Sequence, residues 1–245
     1  GECIWVNQIR NQASLIDEEI NGKKIMVYNF CSNDFAGDMS VKKSWWKSKT
    51  PYEGKHKLDK RVEKNLELVE KFTNLGVPSK QIFISGHSCG GLLTLMFLSA
   101  HTEKVGGGIS YMQACFGKLS TKYKVKKVGP EEAMSNFAKK YPGPAELRKR
   151  QINNIKKSNN VPVLAFTHPK DKWEGLLSDW LEEVPGVKRI VISEDYTING
   201  KSCVVKGDNW QENISARKNP GHEMNQGLCF QYYNPDILNF IKSKI

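Results

Sequence analysis

Gly86-His87-Ser88-Cys89-Gly90-Gly91 stands directly after the apolar run Gln81-Ile82-Phe83-Ile84-Ser85 and opens the apolar stretch Gly90 to Ala100. The pattern is G-x-S-x-G at a strand–turn–helix junction, the context in which a serine hydroxyl is raised on a tight, strained turn as a nucleophile. Glycine two positions either side of the serine is expected on steric grounds, because side chains there would collide with the neighbouring strand and helix. Ser88 then projects from the sheet edge, and the backbone N–H of Cys89 at the helix N-terminus faces a developing oxyanion.

A serine hydroxyl is almost wholly protonated at neutral pH and needs a base. Of the five histidines, His222 is the best candidate, in the loop Asn219-Pro220-Gly221-His222-Glu223-Met224 ahead of the last apolar helix. His168 is the lesser alternative. His56 precedes a helix, His101 ends one as a cationic cap, and His87 flanks the serine and is expected to point elsewhere. The third partner should be a carboxylate that fixes the imidazole tautomer and lies between serine and histidine in chain order. Asp171 follows the apolar run Val161 to Thr167 and satisfies that order, with Asp195 as runner-up and Glu174 assigned to a helix surface.

The elements that must position these residues alternate between short apolar runs and amphipathic stretches, without an internal repeat. This predicts an α/β fold with a mostly parallel central sheet, helices on both faces, and a single domain over 1–245. Strands are expected at Cys3 to Asn7, Lys24 to Phe30, Gln81 to Ser85, Gly108 to Cys115, Val161 to Thr167 and Val187 to Ser193. Helices are expected at Leu58 to Leu75, Gly90 to His101, Pro144 to Lys157, Lys172 to Val184 and Pro235 to Lys244. Between the fourth and fifth strands lies a long excursion, residues 116–160, long enough to form a helical cap.

With the elbow G-H-S-C-G-G, the strand end P-V-L with K-D, and N-P-G-H before a closing helix, the chain resembles the α/β-hydrolase superfamily. Specifically, it resembles the small dienelactone-hydrolase-like and esterase or serine-peptidase-like members. The resemblance runs over nearly the whole chain from Cys3. It implies an α/β-hydrolase fold with Ser88, Asp171 and His222 at the C-terminal edge of the sheet, and hydrolysis of an ester, thioester or amide without a cofactor or metal. Two departures stand out. Dienelactone hydrolases proper use a cysteine where this chain has Ser88, so their substrate does not carry over, and no H-G-G-type oxyanion loop follows the first strand. The second oxyanion donor is therefore assigned to the backbone N–H of Asn7 or Gln8. If Lys24 to Phe30 were the oxyanion strand instead, Cys31 or Ser32 would donate.

Composition bounds the partners. The 245 residues carry 37 Lys and Arg against 26 Asp and Glu, a net charge of +11, and the 24 aromatic residues supply core material despite only 39% hydrophobic content. The basicity is regional: residues 42–61 hold net +6 and residues 116–160 net +9, leaving −4 for the rest. A uniformly basic nucleic-acid binder is a poor fit. In open parallel sheets the loops after strands gather at the ligand-binding edge, so both basic segments are expected beside Ser88. Trp45, Trp46, Tyr52, Lys118 and Lys122 become candidate binding residues for a small anionic or amphipathic ester, with solvated surface as the plain alternative.

No apolar run reaches the roughly 20 residues of a spanning helix. The six cysteines form no C-x-x-C pair, so zinc and thioredoxin-like motifs are unsupported. A bond between Cys203 and Cys229 would staple the loop around His222. The start at Gly1, without Met, tilts the expectation slightly toward an exported protein over a cytoplasmic one. Two functions follow: a serine hydrolase, with a carboxylic ester favoured over a peptide, or a non-catalytic protein of the same fold binding a polyanion through its basic rim.

Overall fold

The computed structural model describes residues 14–30, 56–193, 197–198, 201–202, 219–224 and 228–245. The first elements among the described residues are a short hairpin, β1 (Glu19–Ile20) and β2 (Lys23–Lys24), paired antiparallel. Helix α1 (Lys57–Asn74) leads to β3 (Phe83–His87), α2 (Cys89–His101) and β4 (Gly107–Tyr111). The excursion then folds as α3 (Leu119–Lys122), α4 (Val125–Val128), α5 (Pro130–Lys140) and α6 (Pro142–Lys156). Strand β5 (Val163–Thr167), a 3₁₀ segment (Gly175–Glu183), β6 (Val187–Val191) and the hairpin β7 (Thr197–Ile198) and β8 (Lys201–Ser202) follow. The chain closes with α7 (Pro220–Glu223), a 3₁₀ turn (Leu228–Tyr233) and α8 (Asn234–Lys242).

Strands β3, β4, β5 and β6 form one parallel sheet in that order, each paired with its sequence neighbour. Parallel neighbours need crossovers, which α2, the α3–α6 excursion and the Gly175–Glu183 segment supply. The period-two side-chain alternation splits the core into two clusters. On β5, Val163 and Ala165 join one cluster with Leu92, Leu95 and Leu98 of α2 and Leu58, Val62 and Val69 of α1. Leu164 and Phe166 join the other, with Ile109 and Tyr111 of β4 and Ile237, Phe240 and Ile241 of α8. A central strand buried on both faces reads as an unbroken apolar run, as Val163 to Phe166 does. The observed architecture is thus an α/β sheet covered on both faces.

Helix α1 begins on an uncommon cap. His56 Nδ1 accepts from Leu58 N at 3.3 Å, and His56 N donates to Asp59 Oδ2 at 2.8 Å, a reciprocal capping box with a histidine at N-cap. An imidazole can accept there only while neutral.

Several sequence expectations shift. Lys24 to Phe30 is no strand of the central sheet: the ladder with β1 ends at Lys24, Ile25 adds two main-chain hydrogen bonds to Asp17 and Glu18, and beyond it Met26 and Tyr28 are 87% and 64% exposed. Strand β4 stops at Tyr111 because Met112, at φ 42°, turns the chain out of the ladder. The segment expected as a helix over Lys172 to Val184 is 3₁₀ from Gly175 to Glu183, preceded by a loop bearing Asp171. Cys3 to Asn7 lies outside the described residues, as do the tryptophans at 45 and 46.

Candidate active site

Ser88 caps β3 and starts α2 with φ 57° and ψ −120°, a positive-φ conformation that a non-glycine residue holds only under constraint. The constraint is hydrogen bonding to β4 and the chain beyond it: Ser88 N donates to Tyr111 O at 3.0 Å, and Ala114 N donates to Ser88 O at 3.0 Å. A Cβ on Gly86 would lie 2.3 Å from the Gly90 carbonyl carbon and oxygen, so no side chain fits there. On Gly90 itself a Cβ would meet nothing within 4 Å. The collision expected on both sides of Ser88 thus exists on one, because the wall that Gly86 approaches is the backbone of residue 90.

The three residues picked for nucleophile, base and carboxylate meet. His222 Nε2 lies 2.9 Å from Ser88 Oγ, and His222 Nδ1 lies 2.9 Å from Asp171 Oδ2. A carboxylate only accepts, so Nδ1 carries the hydrogen and Nε2 the lone pair. The single Ser88 hydroxyl hydrogen then has two acceptors in reach, His222 Nε2 at 2.9 Å and the Ala114 carbonyl at 3.3 Å. Asp171 and His222 are each 2% exposed, so solvent barely screens their contact.

Asp171 is held by its own loop: Trp173 N donates to Asp171 Oδ1 at 2.8 Å, and Asp171 N donates to His168 O at 2.9 Å. Asn219 joins this loop to the histidine loop, its side-chain oxygen accepting from Lys172 N at 3.2 Å while its carbonyl accepts from His222 N at 3.0 Å. The loops meet so closely that a Cβ on Gly221 would sit 2.8 Å from Asp171 N. Trp173 also stacks on the His222 ring, centroids 5.4 Å apart at 28°.

His87 does not point away. Its Nε2–H donates to the His222 carbonyl at 2.7 Å, and its ring lies 4.7 Å from the His222 ring. Burial, then the adjacent His222, hold the His87 imidazole down to about 3, against the pull of its carbonyl hydrogen bond. His87 is therefore neutral, and the base candidate is braced between His87 and Trp173.

His168 is buried and accepts from Lys170 N at 3.0 Å; the ring facing Ser88 is that of His222 instead. Glu174 is not on a helix surface. It is 5% exposed and ion-paired with Arg148 of α6 at 2.6 Å. Burial pushes its carboxyl up, with Arg148 pulling the other way.

A disulfide escaped sequence reasoning: Cys89, directly after Ser88, is bonded to Cys115. It ties the start of α2 to the segment whose Ala114 carbonyl faces Ser88 Oγ. Cys203, the side chain of Cys229, Asn7, Gln8, Cys31, Ser32, Trp45, Trp46, Tyr52 and Asp195 lie outside the described residues. Cys89 is the first residue of α2, so its N–H has no partner within the helix and stands beside Ser88. Lys118 and Lys122 line a cavity of the excursion, and the backbone N–H groups of Ser120 and Thr121 donate to Trp173 O and Lys172 O in the Asp171 loop. Among the described residues there is no cluster of metal-ligating side chains, and no helix is long and apolar enough to cross a membrane.

No protein-family model matches the chain, and no curated protein does. Among solved structures it is similar to a fungal esterase from Rhizomucor miehei, with 13% identity and a TM-score of 0.45 over 75% of this chain and 59% of that one. It is also similar to a carboxylesterase of the ammonia-oxidizing thaumarchaeon Nitrososphaera gargenis, with 14% identity and a TM-score of 0.42 over 79% of this chain and 75% of that one. A monoacylglycerol lipase of Paleococcus ferrophilus gives 13% identity and a TM-score of 0.39 over 75% and 76% of the two chains. The chain thus spans about three fifths of the length of the first of these.

Proposed function

We infer that the protein is a serine hydrolase of the α/β-hydrolase type that cleaves a carboxylic ester through an acyl-enzyme on Ser88. The observation that carries this reading is the chain of contacts from Ser88 Oγ through His222 to Asp171, 2.9 Å at each step, on a serine held at positive φ.

The steps follow from the atoms. Ser88 Oγ attacks the substrate carbonyl carbon as His222 Nε2 takes its proton, and Asp171 stabilises the imidazolium through Nδ1. The oxyanion develops next to Cys89 N–H, where a donor in fixed position supports it. Collapse of the tetrahedral intermediate breaks the bond to the leaving group, which takes the proton from His222 and departs as an alcohol. Water then attacks the acyl-Ser88 carbonyl, His222 takes the water proton, and collapse returns that proton to Ser88 Oγ as the acid leaves. No cofactor enters any of these steps. The Cys89–Cys115 disulfide fits an oxidising compartment such as that of an exported protein.

A fluorophosphonate probe tests the reading. The wild type should be labelled at Ser88 and hydrolyse p-nitrophenyl acetate, with both lost in Ser88→Ala. An unlabelled wild type that binds a polyanion in a salt-sensitive way would instead support a non-catalytic protein of the same fold.

A further inference from the structure

We propose that the cavity of the excursion, between Phe116 and Tyr141, binds the carboxylate end of an amphipathic substrate arm; this rests on the serine hydrolase reading and names the substrate class. The cavity has a volume of about 270 Å³ and is lined by Phe116, Lys118, Leu119, Lys122, Phe137 and Tyr141. Its walls are apolar, with Phe116, Leu119 and Phe137 all buried, while Lys118 and Lys122 are exposed. Lys122 Nζ donates to the Tyr141 hydroxyl at 3.2 Å and stands 4.5 Å from the centre of its ring, so Tyr141 positions this ammonium at the cavity. Among the described residues neither lysine is ion-paired with a carboxylate, although Lys64, Arg148, Lys156 and Arg189 are.

An apolar chamber with two uncompensated ammonium groups selects one kind of ligand, an apolar chain ending in an anion. A space of this size, slightly below the range of common small-ligand pockets, suits a chain of medium length and not a polymer. Two connections set the chamber beside Ser88. Phe116 follows Cys115, which is bonded to Cys89, and the Ser120 and Thr121 N–H groups bond the Lys172–Trp173 backbone next to Asp171. The chamber therefore flanks both the nucleophile turn and the carboxylate loop, where an arm of a substrate bound at Ser88 would extend.

The test compares mono-p-nitrophenyl suberate, which carries a free carboxylate, with its neutral methyl ester. Two exposed lysine contacts together predict a kcat/KM roughly tenfold higher for the anion in the wild type. High salt should erode that preference. The double variant Lys118→Met, Lys122→Met should lose that preference, its kcat/KM falling several-fold more for the anionic ester than for the neutral one, while fluorophosphonate labelling of Ser88 persists. Equal kcat/KM for the two esters in the wild type, or an equal loss on both in the variant, overturns the proposal and leaves the hydrolase reading standing. If the wild type neither labels nor turns over either ester, the hydrolase reading fails by itself. Calorimetry with monomethyl suberate then decides the cavity: binding weakened by the double substitution supports it, and no binding to the wild type overturns it.

Discussion

Ser88 and His222 meet at 2.9 Å but are held by different means. Ser88 sits in backbone architecture: a strand, a helix, a steric limit at Gly86, two main-chain hydrogen bonds, one with Tyr111 at the end of β4 and one with Ala114 beyond it, and a disulfide at the next residue. His222 sits in the four-residue helix α7 and is located by side chains from elsewhere, the Asp171 carboxylate, the Trp173 ring and the His87 imidazole. A nucleophile placed by backbone should tolerate changes to neighbouring side chains that leave the turn intact. A base placed by side chains should fail when any one of them is changed, even though the fold survives.

The sharpest break of the second kind is Asp171→Asn. The amide can present N–H to His222 Nδ1, which then becomes an acceptor, and Nε2 carries the hydrogen and can no longer take one from Ser88. Turnover should fall by about 10⁴-fold with little change in melting temperature. Steady-state hydrolysis of p-nitrophenyl acetate, with a thermal melt beside it, measures both; a loss under tenfold would mean that the base does not depend on its carboxylate.

His87→Phe keeps a ring against His222 but removes the donor to its carbonyl. Losing one buried hydrogen bond of about 1.5 kcal/mol predicts a fall in kcat of roughly tenfold with KM within twofold. His87→Gln restores an N–H and should recover part of the rate. A drop in melting temperature without the kcat effect would make His87 a residue of the fold alone.

The disulfide tests the other half. Converting Cys89 and Cys115 together to serine should change kcat only a few-fold, because the backbone bonds of Ser88 to Tyr111 and Ala114 remain. Stability should suffer more: closing a loop with a sequence separation of 26 is worth roughly 3–4 kcal/mol on the chain-entropy estimate. Denaturant titration and kcat measured on the same sample separate the two. A collapse of kcat in a variant that still melts cooperatively would show that the turn needs its covalent tie.

This contrast also explains what the sequence disclosed. The turn was legible at Ser88 because its requirements are local: Gly86, the preceding apolar strand and the following apolar helix lie within about twenty residues. Asp171 and His222 were legible from chain order and from loops adjoining a buried strand and a closing helix. The contact of His87 with His222 spans 135 positions and leaves no local pattern. Likewise Glu174 reads as a surface residue until Arg148, 26 positions earlier, arrives from α6 to pair with it. Six cysteines admit 15 full pairings, and nothing in their spacing singled out Cys89 with Cys115. The sheet was legible where a strand is buried on both faces, as in Val163 to Phe166, and not at Lys24 to Phe30, where Met26 and Tyr28 are exposed while Ile25 packs half-buried against the core.

The smallest expected effect on activity comes from His56, outside both halves of the site. Burial, aided by the nearby Lys57, Arg61 and Arg150 charges, holds its pKa at about 4, against 6.5 for a free imidazole. The unfolded chain therefore binds more protons between those values, and stability rises with pH across that window. The contribution, on the order of 3 kcal/mol, is fully present above pH 6.5 and is lost as the pH falls toward 4. The mechanism is visible at the helix cap: a protonated Nδ1 cannot accept from Leu58 N. His56→Asn keeps a capping acceptor and removes the titration. Melting temperatures taken from pH 7 to pH 4 should fall less steeply in this variant, and kcat at pH 7 should be unchanged. If the variant's melting temperatures track the wild type down to pH 4, the acid sensitivity arises elsewhere, and the packing around His87 and His222 becomes the place to look.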